Sequence, residues 1–148
     1  MKAVIQRVLE ADLKVDGQLI SEIKKGFVIF LGVGKEDDEK DIDKLANKII
    51  KLRIFEDENE KMNYSIKDVG GEILLVSQFT LFADCKHGNR PSFINAEAPQ
   101  RANALYLQMR DRLLSENISV KTGVFGADMK IDVLNDGPVT ILLDSKEL

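Results

Sequence analysis

A chain of 148 residues, 44% of them hydrophobic, is long enough for one domain with a real core, and it holds no apolar run near the roughly 20 residues that span a membrane. Its net charge of −4 argues against broad, non-specific binding along nucleic acid, DNA included, but leaves room for a local pocket that takes one end of an RNA. A single cysteine, Cys85, and a single histidine, His87, exclude a disulfide framework and a Cys/His metal cluster, and the one thiol suits a reducing cytoplasm.

The N-terminal segment Met1 to Val8 alternates like a strand and contains no cleavable hydrophobic region. Val4 to Leu9 and Leu13 to Val15 lead into Asp16-Gly17, and Gln18 to Ile20 comes back out, which predicts a hairpin. Phe27 to Val33 is a continuous apolar run of strand length, expected to be buried on both faces. A helix follows, capped by Asp37 or Asp38, with Ile42, Leu45, Ala46 and Ile49 at helical spacing. Arg53-Ile54-Phe55 reads as a short strand, and Glu56 to Glu60 as a solvated acidic loop.

After Gly70-Gly71, Glu72 to Phe82 forms another apolar run of β type. Ala98-Pro99 opens a second helix, proline standing at its favoured first position, with a core stripe of Ala102, Leu105, Tyr106, Met109 and Leu113. Three closing strands are predicted near Val120, Ile131 and Ile141. The pattern gives an α/β chain of the α+β type: a single domain over residues 1–148, a mainly antiparallel curved β-sheet or barrel with two main α-helices packed outside.

Between the last two strand segments stands Asn135-Asp136-Gly137-Pro138-Val139-Thr140. Asp-Gly is a hairpin signal, but the proline removes a backbone donor where a returning strand would begin to pair. Gly-Pro is also a peptide in which a cis bond is accessible. The segment is either a plain turn or a rigid corner that presents bare backbone carbonyls.

Ser77-Gln78-Phe79-Thr80-Leu81 places polar groups at the end of an apolar run. Ser77 and Thr80 are nucleophile candidates or ordinary strand hydroxyls; a nucleophile needs a base beside it, and the only imidazole sits in the loop Lys86 to Arg90. Lys86, His87 and Arg90 form a small basic cluster that either meets phosphate or is merely solvated. Thr122 to Met129 is glycine-rich beside Phe125, suited to a planar ligand or to a bulged strand. It fits no dinucleotide or Walker fingerprint.

Taken together, these segments resemble the D-aminoacyl-tRNA deacylase family, first known as D-tyrosyl-tRNA deacylases. The resemblance is carried by Ala3-Val4-Ile5-Gln6-Arg7-Val8, Leu52 to Asp57, Ser77 to Leu81, Arg90-Pro91-Ser92-Phe93, Phe125 to Met129, and Asn135 to Thr140. It covers the full length, and both signature motifs are intact.

The resemblance implies hydrolysis of the ester of D-aminoacyl-tRNA, and of glycine mischarged on tRNA-Ala, in a homodimer with active sites at the subunit interface, without metal or organic cofactor. It implies catalytic positions at Phe79 and Thr80, whose backbone N–H groups would face the oxyanion, with Ser77 and Gln78 orienting the motif and the substrate. It implies that Gly137 and Pro138 reach into the partner's site and reject an L side chain. Phe125, Gly126 and Met129 are expected to line the pocket for the 3′ terminal adenosine, whose 2′-hydroxyl would help activate water. Two rival readings are a non-catalytic module that binds the 3′ end of tRNA and a conventional serine or threonine esterase.

Overall fold

The computed structural model describes residues 1–148. The first strand, β1 (Lys2–Val15), turns at Asp16-Gly17 into β2 (Gln18–Ile23). Asp16 and Gly17 take φ values of 50° and 76°, the left-handed conformation a tight hairpin requires. β3 (Gly26–Gly32) returns along the first half of β1, pairing Val4 with Phe30 and Gln6 with Val28.

Helix α1 (Glu39–Lys51) is capped by Asp38 rather than Asp37: the Asp38 carboxylate accepts the Lys40 N–H at 2.9 Å, and Asp41 reaches back to the Asp38 N–H at 2.9 Å. A small separate hairpin follows, made of β4 (Phe55–Glu56) and β5 (Met62–Tyr64). The expected strand Arg53-Ile54-Phe55 is therefore shifted toward Glu56, and β5 was not foreseen.

β6 (Glu72–Ser77) lies parallel to β3, and after helix α2 (Pro99–Leu114) strand β7 (Ser119–Thr122) lies parallel to β6. The sheet is thus mixed but mainly antiparallel, as expected: β1 pairs antiparallel with β2, β3 and β8, and only the connections through the helices carry the chain back to start in the same direction, as a parallel crossover demands. The apolar run expected to continue as strand to Phe82 also ends early, at Ser77, and becomes a 3-10 turn over Phe79–Phe82.

The largest correction concerns the C-terminus, where two strands were expected on either side of Gly137-Pro138. They are one strand, β8 (Lys130–Asp144), antiparallel to β1 along nearly its whole length. The Gly-Pro corner is absorbed where the register jumps between the pairs Val8–Asn135 and Gln6–Thr140.

Strand order in the main sheet is β2-β1-β3-β6-β7, with β8 on the free edge of β1. The two end strands of this path meet through side chains: Ser21 Oγ donates to the Thr122 carbonyl at 2.6 Å, and Lys121 Nζ to the Glu22 carbonyl at 2.7 Å. The sheet therefore curls nearly shut into a barrel. A small core including Leu13, Val28, Leu74 and Val76 fills the curl.

The larger core lies between the other sheet face and the helices. There Ile5, Ile29 and Leu75 pack against Leu45, Ile49 and Met109. The buried residues of α2 are the stripe read from its spacing: Ala102, Leu105, Tyr106, Met109 and Leu113. No helix is long and apolar enough to cross a membrane.

Candidate active site

The site is built where β3 and β6 end side by side. The parallel ladder runs to the pair Leu31–Ser77, and the Gln78 N–H still donates to the Leu31 carbonyl at 2.8 Å. The chain then leaves the sheet as the 3-10 turn, because β3 is followed by glycines. At Gly34 a Cβ would lie 2.6 Å from the Phe82 ring, so only glycine lets the turn seat against the sheet.

None of the four residues in that turn is buried. Gln78 occupies the capping position but makes no side-chain bond to the turn's backbone; its Nε2 donates to Thr80 Oγ1 instead. The first N–H groups of any helical turn lack partners within it, so those of Phe79 and Thr80 are left open.

Ser77, Gln78 and Phe79 form one side of a cleft of about 540 Å³. Phe125, Gly126 and Met129 line it as well, and Phe93, Ala96 and Glu97 complete the wall. Tyr106 supports both segments. Its hydroxyl donates to the Leu75 carbonyl at 2.7 Å, and its ring lies 6.0 Å from that of Phe125. Burial pushes the Tyr106 phenol up to about 12, so it is a fixed donor at neutral pH.

The cleft contains no free base. Glu97 accepts the Ala98 N–H at 2.7 Å and pairs with Arg101, and these contacts, the backbone one foremost, hold its carboxyl below the usual range. Asp128 is exposed and pairs with Lys130 Nζ at 2.8 Å. His87 lies in an exposed loop and does not line the cleft. Neither the Ser77 nor the Thr80 hydroxyl has an activating imidazole beside it, which weighs against the esterase reading.

Six of the nine residues singled out in the sequence thus meet in one cleft: Ser77, Gln78, Phe79, Phe125, Gly126 and Met129. Thr80 stands just outside it in the same turn. Gly137 and Pro138 do not line it at all. Their peptide bond is cis, both residues are exposed, and they stand outside the ladder in the middle of β8.

Arg7, buried to 4% exposure, holds this corner. Its Nε donates to the Asp136 carbonyl at 3.2 Å and lies 3.3 Å from the Asp136 carboxylate, while Nη1 donates to the Ile54 carbonyl at 2.6 Å. Asn135 Nδ2 closes the other side, donating to the Arg7 carbonyl at 3.2 Å and to that of Val139 at 3.0 Å. Gly137 has φ +133°, and a Cβ there would lie 2.7 Å from Val139 Cγ2, so the position excludes a side chain. Arg7 appeared in the sequence only as part of a matching strand. Its signal was legible: alternation places it on the same inward face as Ala3 and Ile5, where a charge needs partners.

A family model described as D-Tyr-tRNA(Tyr) deacylase matches residues 4–144. A protein named D-aminoacyl-tRNA deacylase from Sulfurihydrogenibium sp. (strain YO3AOP1) is 55% identical over 148 residues, covering all of both chains. One of the same name from Clostridium novyi (strain NT) is 52% identical over 147 residues, covering 99% of each. Among solved structures, a chain called c-Myc DNA Unwinding Element Binding Protein superimposes with a TM-score of 0.90 at 42% identity, over 97% of this chain and 98% of that one. A probable eukaryotic D-amino acid tRNA deacylase superimposes with a TM-score of 0.79 at 15% identity, over 96% and 97% of the two chains, a likeness of fold alone.

Proposed function

The chain belongs to the D-Tyr-tRNA(Tyr) deacylase family and hydrolyses the ester bond of D-aminoacyl-tRNA, and from this premise we propose that the reaction takes place in the cleft beside Phe79, completed by the Gly137-Pro138 corner of a second copy. The observation that carries the proposal is the pair of open N–H groups, Phe79 and Thr80, at the lip of a cleft that holds no free base.

The second copy is supported by the face of the sheet that the helices leave bare. Val4, Phe30 and Leu142 are cross-strand neighbours there, and Leu142 is 76% exposed. An apolar strand face of this kind calls for a cover. A two-fold pairing across it that brings one corner to the other copy's cleft brings both, because an isologous contact is reciprocal.

In this arrangement the terminal adenosine lies along Phe125, Gly126 and Met129, and the ester carbonyl faces the turn. Water adds to the carbonyl carbon, assisted by the 2′-hydroxyl of the adenosine. The oxyanion is held by the N–H groups of Phe79 and Thr80, each donor being worth about 10²–10³ in rate. Collapse of the tetrahedral intermediate expels the ribose oxygen, which takes a proton, and frees the amino acid.

Ser77 and Gln78 orient the turn, Gln78 through its bond to Thr80. The backbone of Gly137 and Pro138 stands where an L side chain would project from the α-carbon; a D side chain points away, and glycine, having none, is accepted. Rejection of this kind discriminates by clash rather than by tight fit.

The test is release of amino acid from D-Tyr-tRNA, L-Tyr-tRNA and Gly-tRNA-Ala side by side. Rapid loss of the D and glycyl esters with the L ester intact is the expected result. Equal loss of D and L esters would discard the Gly137-Pro138 filter.

A further inference from the structure

The loop that walls the cleft has a second flank. Its ends are fixed: Asp84 and Ser92 exchange backbone bonds of 2.7 and 2.9 Å, and the Lys35 N–H donates to the Asn95 carbonyl at 3.2 Å. Its tip, Cys85 to Pro91, is exposed and carries Lys86, His87 and Arg90. The acid at its base, Asp84, is occupied by the Lys86 backbone N–H at 2.9 Å.

Eleven of the 21 basic residues, Lys2, Lys25 and Lys35 among them, belong to no ion pair, so it is their place on this exposed tip beside the cleft wall that sets Lys86 and Arg90 apart. On the sheet Lys14 sits by Asp12 and Asp132, Lys24 by Glu10, Lys121 by Glu72 and Lys130 by Asp128. Lys86 and Arg90 belong to no ion pair. Lys86 also lines a groove of about 370 Å³ with Lys2, Phe82 and Asn95, and Lys2 Nζ stands 5.0 Å over the Phe82 ring.

In the cleft wall, Phe93 packs edge-on against Phe79, ring centroids 5.0 Å apart, with 37% and 54% of the two residues exposed. Exposed aromatic rings followed by unpaired cations are what a single strand of nucleic acid binds, its bases stacking and its backbone neutralised.

We propose that Lys86 and Arg90 hold the backbone phosphates of the single-stranded RNA immediately 5′ of the esterified nucleoside, so that the loop delivers the 3′ end into the cleft. This rests on the cleft being the site of ester hydrolysis. Net negative charge and a short basic tip restrict the contact to the end of the RNA, since a long duplex would meet mostly acidic surface.

The test compares wild type with a Lys86→Ala/Arg90→Ala variant on two substrates: D-Tyr-tRNA and D-tyrosyl-adenosine, which has the ester but no phosphate. The expected result is a rise in KM for D-Tyr-tRNA of about tenfold with kcat unchanged, and a log–log salt dependence shallower by about 1.4 for two single-strand contacts. Turnover of D-tyrosyl-adenosine stays at the wild-type rate.

Equal losses on both substrates would overturn the proposal, assigning the loop to support of the cleft. No change on either would overturn it too, leaving the tip solvated or turned toward an acidic protein segment. Binding of uncharged tRNA decides the point separately from catalysis: should wild type leave the D ester intact, the hydrolytic site falls, while undiminished tRNA binding by the variant would still overturn the loop's role.

Discussion

Strands β1 and β3 present two faces of opposite character. Toward the helices, Ala3, Ile5, Ile29 and Leu31 are exposed by 1% or less and meet Leu45, Ile49 and Met109 at 0%. On the other face Val4 and Phe30 are only half buried, and Leu142 is open to solvent. The 3-10 turn and the Gly-Pro corner both stand outside the strand ladders, and the turn buries none of its own residues. The helix side thus holds the larger core and the curl a smaller one that includes Val28 and Val8, while the turn and the corner contribute backbone groups that no strand pairs. Chemistry that relies on backbone N–H and C=O groups needs such a division, because those atoms are ordinarily consumed by the ladder.

Substitutions that break one side and spare the other sharpen this contrast. Ile49→Ala removes a fully buried side chain from the helix side and should cost about 2–5 kcal/mol, read as a lower urea midpoint, with activity per folded molecule unchanged. Gly137→Ala should act chiefly on activity. Its Cβ would press on Val139 and shift the corner, lowering kcat/KM for D-Tyr-tRNA about 10²-fold, with the strain at its positive φ costing about 1–2 kcal/mol, less than Ile49→Ala costs.

A third variant probes the helix side through pH. Burial would raise the Asp41 carboxyl, but the Ser145 hydroxyl, the Asp38 amide and the Lys146 ammonium outweigh it and hold the group near 2, against an ordinary value of 3.8. A carboxyl depressed in the folded state stabilises it while ionised. Its contribution, about 1–2 kcal/mol, is therefore complete above pH 4 and lost as pH falls from about 4 toward 2. Asp41→Asn should flatten that part of the stability–pH curve. The smallest effect is expected of Thr80→Ala, which deletes a hydroxyl but keeps its N–H: kcat should fall by less than about tenfold, whereas a covalent nucleophile would show a loss of about 10³ or more in single-turnover assays.

The parts of the fold that were legible in the sequence are those set by local pattern. The Asp16-Gly17 hairpin and the α2 stripe declare themselves through turn chemistry and 3.6-residue spacing. The early end of β6 was not legible, because Phe79 to Phe82 is as apolar as the strand before it; the turn is imposed by space at Gly32 and Gly34, more than forty residues away in sequence. The parallel pairings depend equally on distant partners.

The site divides the same way. Ser77, Gln78, Phe79, Phe125, Gly126 and Met129, taken from two motifs far apart in sequence, line one cleft. The continuity of β8 through Gly137-Pro138 was hidden, because its cause lies in β1: the extra residues are taken up opposite Arg7, whose guanidinium holds the Asp136 carbonyl.

That continuity makes the corner intolerant of changes in length. Both arms of β8 pair with β1, Lys130 to Leu134 on one side and Thr140 to Asp144 on the other. A residue inserted or deleted between Asn135 and Thr140 has only two outcomes. The corner absorbs it and its carbonyls move, or one arm slips by a position and turns inside out, taking Ile141 and Leu143 away from the helices they pack toward. The number of residues between Asn135 and Thr140 is thus held by both arms at once.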